Sequence, residues 1–437
     1  MNYYSTNKKI TGISLKNAVI KGLAADNGLF MPERIEKFKP SFFNSIHQLT
    51  FQEIAFEVAK KFFGEDIELN ALKEIVYDTL QFDCPVVNVS ENIYSLELFH
   101  GPTLAFKDVG ARFMARLLNY FLEKNSNEVN VLVATSGDTG SAVANGFLGV
   151  EGIHVHVLYP KGKVSAIQEA QFTTLGKNIT AIEIKGNFDD CQKLVKTAFL
   201  DEELNEKLLL TSANSINVAR FLPQAFYYFN AYARLKEAGT LDGRAFVVSV
   251  PSGNFGNLTA GLFAREMGLP IARFLAANNE NDVVYEFLKT GEYKPRSSTE
   301  TIANAMDVGA PSNFARILDL YNHSHLKISG VMKGFRYSDY QIGETIRTVY
   351  NQTGYLCDPH GACGYQALED FLNPEQVGVF LETAHPAKFK ETVSEILGES
   401  NLLVPERLAA FMRNEKKTIL LDNNFPDFKK YLLNHSY

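Results

Sequence analysis

Lys107 ends the run H-G-P-T-L-A-F-K (His100–Lys107) and opens a helical pattern. At helical spacing it stands above Ala111, Met114 and Leu118, off the polar stripe of Asp108, Arg112, Arg116, Asn119 and Glu123. An amine on an apolar face is either a surface lysine with a buried stem or one kept partly dry, whose lowered pKa makes it a neutral nucleophile. Two loops offer the complement of such an amine, a site for an anion. The first follows V-L-V-A-T and reads S-G-D-T-G-S, placing Ser136, Gly137, Asp138 and Thr139 at a helix opening. Unpaired amides and the helix dipole there attract a carboxylate or phosphate, although a plain helix cap at Ser136 or Asp138 is the competing reading. The second follows A-F-V-V-S-V and reads P-S-G-N-F-G-N. Gly253 and Gly256 let the backbone fold tightly, and Asn254 and Asn257 tolerate left-handed conformations, so successive amides can cradle a phosphate.

Neither loop has the Gly-Lys-Ser/Thr of a P-loop or the G-x-G-x-x-G of a dinucleotide site, which disfavours nucleoside triphosphates and NAD. A partly dry lysine together with a phosphate cradle points instead to pyridoxal 5′-phosphate. Its aldehyde forms a Schiff base with a neutral amine, and its phosphate must be anchored to hold the ring. The run C-D-P-H-G-A-C (Cys357–Cys363) has no second pair of ligands to complete a tetrahedral site, so no metal is expected.

The elements that must position these groups read as α/β. From Asn130 onward, short apolar runs alternate with ten or more residues of helical pattern, which argues for parallel sheets covered by helices, with ligands at the carboxyl ends of strands. The predicted strands are V-L-V-A-T, I-H-V-H-V-L-Y, I-T-A-I-E-I, K-L-L-L-T, A-F-V-V-S-V, I-A-R-F-L-A-A and V-G-V-F-L-E-T. Residues 1–82 read as a helical N-terminal domain. The expected division continues with a large domain over 83–129 and 220–437 and a small α/β domain over 130–219, with a mainly helical stretch from about Pro405. The 437 residues suffice for two or three cores, and a net charge of −7 gives no footprint for nucleic acid or an anionic membrane. Four scattered cysteines, no bilayer-length apolar run and no signal-like N-terminus lead us to expect a cytoplasmic protein with reduced thiols.

Taken in order, seven further segments and the lysine run carry a more specific likeness: Y-S-T at Tyr4, K-G-L-A-A-D-N-G-L-F-M-P-E, H-G-P-T-L-A-F-K-D, A-T-S-G-D-T-G-S-A, P-S-G-N-F-G-N, M-D-V-G-A-P-S-N-F-A-R, D-P-H-G-A and E-T-A-H-P-A-K-F. Together they resemble the threonine synthase family. The resemblance implies a fold-type II pyridoxal-phosphate enzyme, with two parallel-sheet domains, the cofactor between them and a helical N-terminal domain. It implies that Lys107 carries the cofactor, that Gly253, Asn254, Phe255 and Asn257 hold its phosphate and adjoining ring, and that Thr383 sits beside the pyridine nitrogen. A strand-end hydroxyl bonded to backbone is the alternative for Thr383. The implied reaction turns O-phospho-L-homoserine and water into L-threonine and phosphate, with the freed lysine moving protons.

For the substrate carboxylate the expected site is the Ser136–Thr139 loop. For its phosphate we nominate Ser312, Asn313 and Arg316, with Arg112 as a second candidate, against a helix cap and a solvated helix face as alternatives. Asp138 is open in role, since a carboxylate near an anionic substrate repels it unless protonated or paired. Partners are thus a small-molecule substrate, with no nucleic acid and no membrane, and a monomer is the favoured state. Three other activities stay open: a phospho-lyase giving 2-oxobutanoate, a catalytically idle phospho-metabolite binder, and a threonine dehydratase.

Overall fold

The computed structural model describes residues 1–122, 128–398 and 402–435, so Glu123 of the polar stripe lies outside the described residues. Its chain divides into two compact units. One comprises Met1, 32–106 and 221–403; the other comprises 2–31, 107–220 and 404–437.

The second of these units begins with a small sheet, ordered β2-β1-β3, from β1 (Asn2–Ser5), β2 (Ile13–Ser14) and β3 (Phe30–Pro32). Residues 1–82 are therefore not purely helical. The strands are two to four residues long, too short to show a period-2 pattern, and the strand signal is correspondingly absent from the sequence. The main sheet of this unit contains β6 (Val129–Ala134), β7 (Ile153–Pro160), β8 (Ile179–Lys185), β9 (Leu209–Ser212) and β14 (Ile419–Asp422), in the order β14-β8-β7-β6-β9. Every pairing in it is parallel. All six residues of β6 are buried, as a strand covered on both faces requires.

β14 corrects the reading of the C-terminal stretch as mainly helical. I-L-L-D alternates half-buried and exposed residues on an edge, and what fixes it as a strand is its register against Ile182–Lys185. The helix Phe425–His435 that follows buries Phe428, Tyr431 and Leu432 in the same core as Leu132, Leu158 and Ile182. Residues 404–437 accordingly group with the 130–219 region, where the expected division had placed them in the large domain.

The helix Lys107–Phe121 belongs to this unit as well. Ala111, Met114 and Leu118 are fully buried, but so is Asp108, which the sequence pattern had put on a polar stripe. Its charge favours the guanidinium form of buried Arg220, whose pKa burial pulls down to about 10. Close helix packing depends on small residues: a Cβ on Gly146 would touch the Ala111 backbone at 3.1 Å, and one on Gly110 would stand 2.4 Å from the Arg220 carbonyl oxygen.

The other unit is built on a six-stranded sheet. Its members are β4 (Val86–Ser90), β5 (Ile93–Glu97), β10 (Ala245–Pro251), β11 (Ile271–Asn278), β12 (Met332–Arg336) and β13 (Gln376–Glu382), in the order β12-β11-β10-β13-β5-β4. The pairings are parallel except for the β4–β5 hairpin at one edge. β10 and β13 are adjacent and central, so the turns leaving them, at residues 252–256 and 383–386, emerge at the same carboxyl edge. The helices Phe51–Phe63, capped by a Thr50/Glu53 box, and Leu69–Thr79 belong to this unit. Arg234 donates to the Leu49 carbonyl at 2.6 Å, tying the start of that pair to the helix Ala225–Glu237. Among the described residues, no helix is long and apolar enough to cross a membrane.

Because the space beside Gly110 is filled by backbone, Gly110→Ala is expected to lower stability by about 1–3 kcal/mol despite alanine's better helix propensity. A denaturant midpoint that moved upward would contradict this packing.

Candidate active site

Strand β10 ends at Pro251 and the chain turns through Ser252–Phe255 into the helix Gly256–Glu266. Phe255 sits in the left-handed region with φ 59°, which the asparagine-glycine composition of the turn had not assigned to this residue. Asn257 locks the turn: its amide donates to the Pro251 carbonyl at 2.9 Å, and its Oδ1 accepts from Ser252 Oγ and from Leu258 N–H, each at 2.9 Å. The backbone N–H groups of Gly253, Asn254, Phe255 and Gly256 donate to no acceptor among the described residues. Four successive open amides at the head of an 11-residue helix form a concavity suited to a dianionic phosphate. Gly253 is needed for a different reason, since a Cβ there would meet the Ala305 carbonyl oxygen at 2.4 Å.

The nominated residues Ser312 and Asn313 come to this same turn. Ser312 Oγ and N–H both face Asn254 Oδ1, at 3.3 and 3.4 Å, and Asn313 N–H donates to the Asn254 carbonyl at 3.1 Å. Using its oxygen on Ser312 leaves the Asn254 side-chain amide to donate to a ligand. Arg316 is fully buried, donates to Asn313 Oδ1 at 2.5 Å and lies 4.0 Å over the Phe221 ring. The structure therefore gives it neither the solvated helix face nor an open fork.

At the end of β13, Thr383 is buried and its hydroxyl bonds to no described group, so the backbone-bonded alternative does not hold. Its carbonyl accepts the Phe106 N–H at 2.8 Å, and Ala384 bridges to Ala105. Lys107, half-buried, is peptide-bonded to Phe106. The strand end carrying Thr383 thus fixes the residue immediately before the lysine.

In the other unit, Thr135 Oγ1 accepts from Gly137 N–H at 2.9 Å and Gly140 N–H at 2.8 Å. The hydroxyls of half-buried Ser136 and Thr139 bond to no described group. Asp138 is buried and accepts from Gln168 Nε2 at 2.8 Å, while Gln168 Oε1 accepts from Ser165 Oγ at 3.0 Å. The bond from the neutral Gln168 amide occupies one carboxylate oxygen and leaves the charge in place. Gln168 itself went unnoticed in the sequence, 30 residues away from its partner. Ser141 bonds to the Gly137 and Gln168 carbonyls and is a buried helix residue.

D-P-H-G-A supplies more than its sequence suggested. Asp358 caps the helix Pro359–Glu369, accepting from His360 N–H at 2.6 Å and Gly361 N–H at 3.3 Å. The buried Glu382 accepts from Asp358 N–H at 2.6 Å, and burial, then the charge of Asp358, pushes its pKa well above the usual carboxylate value. Cys357 and Cys363 are buried among apolar neighbours with thiol pKa values raised by that burial, and both His360 nitrogens bond within the protein. A raised folded-state pKa means that Glu382 supports the fold at low pH and loses that contribution as pH climbs through its folded value. Glu382→Gln, which stays neutral, is therefore expected to gain in melting temperature relative to the natural chain between pH 5 and 9. A constant difference across that range would contradict a protonated Glu382.

Known proteins bear on this geometry. The sequence profile of pyridoxal-phosphate dependent enzymes matches residues 84–381, that of the threonine synthase N terminus residues 2–80, and that of the threonine synthase C-terminal region residues 361–432. A threonine synthase of Haemophilus influenzae is 44% identical over 433 residues, 99% of this chain and 100% of the relative. The crystal structure of threonine synthase from Escherichia coli matches with TM-score 0.94 at 43% identity, covering 100% of both chains. That of PLP-bound threonine synthase from Brucella melitensis matches with TM-score 0.91 at 34% identity, over 100% of this chain and 99% of the other. The expected fold-type II α/β class and the pyridoxal-phosphate cofactor both hold. With its N-terminal, catalytic and C-terminal regions all matched, this chain belongs to the threonine synthase family of pyridoxal-phosphate dependent enzymes.

Proposed function

We propose that the chain converts O-phospho-L-homoserine and water to L-threonine and inorganic phosphate, with Lys107 as both anchor of the cofactor and carrier of protons. The observation that carries this reading is the Phe106 N–H to Thr383 carbonyl bond of 2.8 Å, which ties the residue preceding the lysine to a strand end whose hydroxyl is left for a ligand. The open amides of Gly253–Gly256 and the Asn254 side chain suit the cofactor phosphate, and the locked Asn257 keeps that turn in shape. A neutral hydroxyl at Thr383 suits the pyridine nitrogen without forcing it to stay protonated, as a carboxylate would. Bound pyridoxal phosphate supplies an electron sink for the carbon attached to the substrate amine.

The chain's own groups do the remainder. Lys107 Nζ would hold the cofactor and, when free of it, would take the proton from the substrate Cα and serve at Cβ and Cγ as the phosphate leaves and water adds at Cβ. The Ser136 and Thr139 hydroxyls, with the helix start behind them, suit the substrate carboxylate, and Gln168 occupies one oxygen of Asp138. Ser312 and Asn313 back the Asn254 turn, so for these two we favour support of the cradle over a separate substrate-phosphate site. The four cysteines are buried free thiols, in keeping with work in the reducing cytoplasm.

Purified protein loaded with pyridoxal phosphate and given O-phospho-L-homoserine is expected to release phosphate and L-threonine in equal amounts. Release of phosphate with 2-oxobutanoate and ammonia would overturn the synthase assignment in favour of a lyase. No phosphate release would overturn both.

A further inference from the structure

The two places that hold the cofactor in the reading above, the Thr383 strand end and the Gly253–Asn257 turn, are joined by a pair of side chains that the reaction itself does not use. Asp358 Oδ2 accepts from the N–H of Ala384, the residue after Thr383, at 3.1 Å. Its Oδ1 accepts from His360 Nδ1 at 2.6 Å, and from the His360 and Gly361 N–H groups. His360 Nε2 then accepts from Ala305 N–H at 3.1 Å. Since a backbone N–H can only donate, Nε2 is the bare nitrogen and Nδ1 carries the proton, which fixes the tautomer. Ala305 is in turn the residue whose carbonyl oxygen fills the space where Gly253 would carry a Cβ. Asp358 and His360 are almost fully buried, and the His360 ring packs 5.0 Å from the Phe389 ring, so this chain of bonds is shielded from water.

We propose that Asp358 and His360 are positioning residues for pyridoxal phosphate: they couple the strand end bearing Thr383 to the 303–306 turn that backs the phosphate cradle, and so fix the spacing between the ring-nitrogen partner and the phosphate grip. This rests on the site reading given above. The 3₁₀ turn Asn304–Met306 has no strand ladder to hold it; its other ties are Asn279 Nδ2, which donates to the Ala303 carbonyl at 3.2 Å, Thr301 Oγ1, which accepts from Ala303 N–H, and Asp307, which accepts from Thr301, Asn279 and Asn281. Those bonds tie the turn to the 279–281 and 299–301 segments, whereas the imidazole links it through Asp358 to the β13 end.

The two amide variants of His360 separate its two bonds. In His360→Asn the side-chain NH2 can replace the Nδ1 donor to Asp358 but is too short to meet Ala305 N–H. In His360→Gln the side-chain oxygen reaches the Nε2 position and can accept from Ala305. Pyridoxal-phosphate affinity measured by equilibrium dialysis is expected to weaken about tenfold in His360→Asn, from the buried N–H left unsatisfied, and to recover in large part in His360→Gln. Equal affinity in His360→Asn and the natural chain would overturn the proposal, as would equal weakening in both variants, the pattern of a merely structural residue. If His360→Asn does not fold, Asp358→Asn carries the test. Its single acceptor oxygen cannot serve both His360 and Ala384, and unchanged cofactor affinity there would equally overturn the coupling. Asn254→Ala keeps the two ideas apart. If it too leaves affinity unchanged, the cradle assignment fails; if it weakens binding while His360→Asn does not, only the coupling fails.

Discussion

The account turns on one backbone hydrogen bond, from Phe106 N–H to the Thr383 carbonyl. A cofactor held at its aldehyde, its ring nitrogen and its phosphate needs three protein groups at fixed mutual positions, and side chains on separate loops would have to be ordered one by one. Here the peptide before the lysine is an extension of the sheet: Ala105 bridges Ala384 and Phe106 donates to Thr383, so the backbone up to Phe106 is set by the register of β13. Its neighbour β10, in register with it through Ala245–Ser249, delivers the turn of open amides at the same edge. Sheet pairing thereby replaces side-chain ordering.

Open amides and a left-handed Phe255 line the Gly253–Gly256 turn, which among the described residues bonds to no lysine or arginine, and Arg316, fully buried, donates to Asn313 and lies over the Phe221 ring. Glu382 and Asp358 adjoin in a dry region, which favours protonation of Glu382 and leaves Asp358 as the acceptor for four donors. An anion seated on the open amides of Gly253–Gly256 would meet backbone dipoles whose field is fixed in advance of binding.

Much of this was legible in the residues. The alternation of apolar runs and helical patterns gave β6, β7, β8, β9, β10, β11 and β13, because strands buried on both faces are nearly continuous in apolar residues. The S-G-D-T-G and S-G-N-F-G turns stood out because glycine clusters after such strands have few other uses. Less visible were β1–β3 and β14, whose edges and short lengths carry no period, and the burial of Asp108, which depends on Arg220 more than a hundred residues on. The roles of Gln168, Asp358 and His360 lie in contacts between distant segments. D-P-H reads locally as a helix cap with proline at the first turn, which it is, while its bonds to Ala384 and Ala305 appear only when the chain is folded.

The most direct measurement is reduction of the pyridoxal-phosphate-loaded protein with borohydride, which makes the bond between amine and cofactor permanent, followed by peptide mapping. The account predicts the pyridoxyl group on Lys107, in the peptide that follows Phe106. A label on any other lysine, or a cofactor that remains removable after reduction, would contradict it.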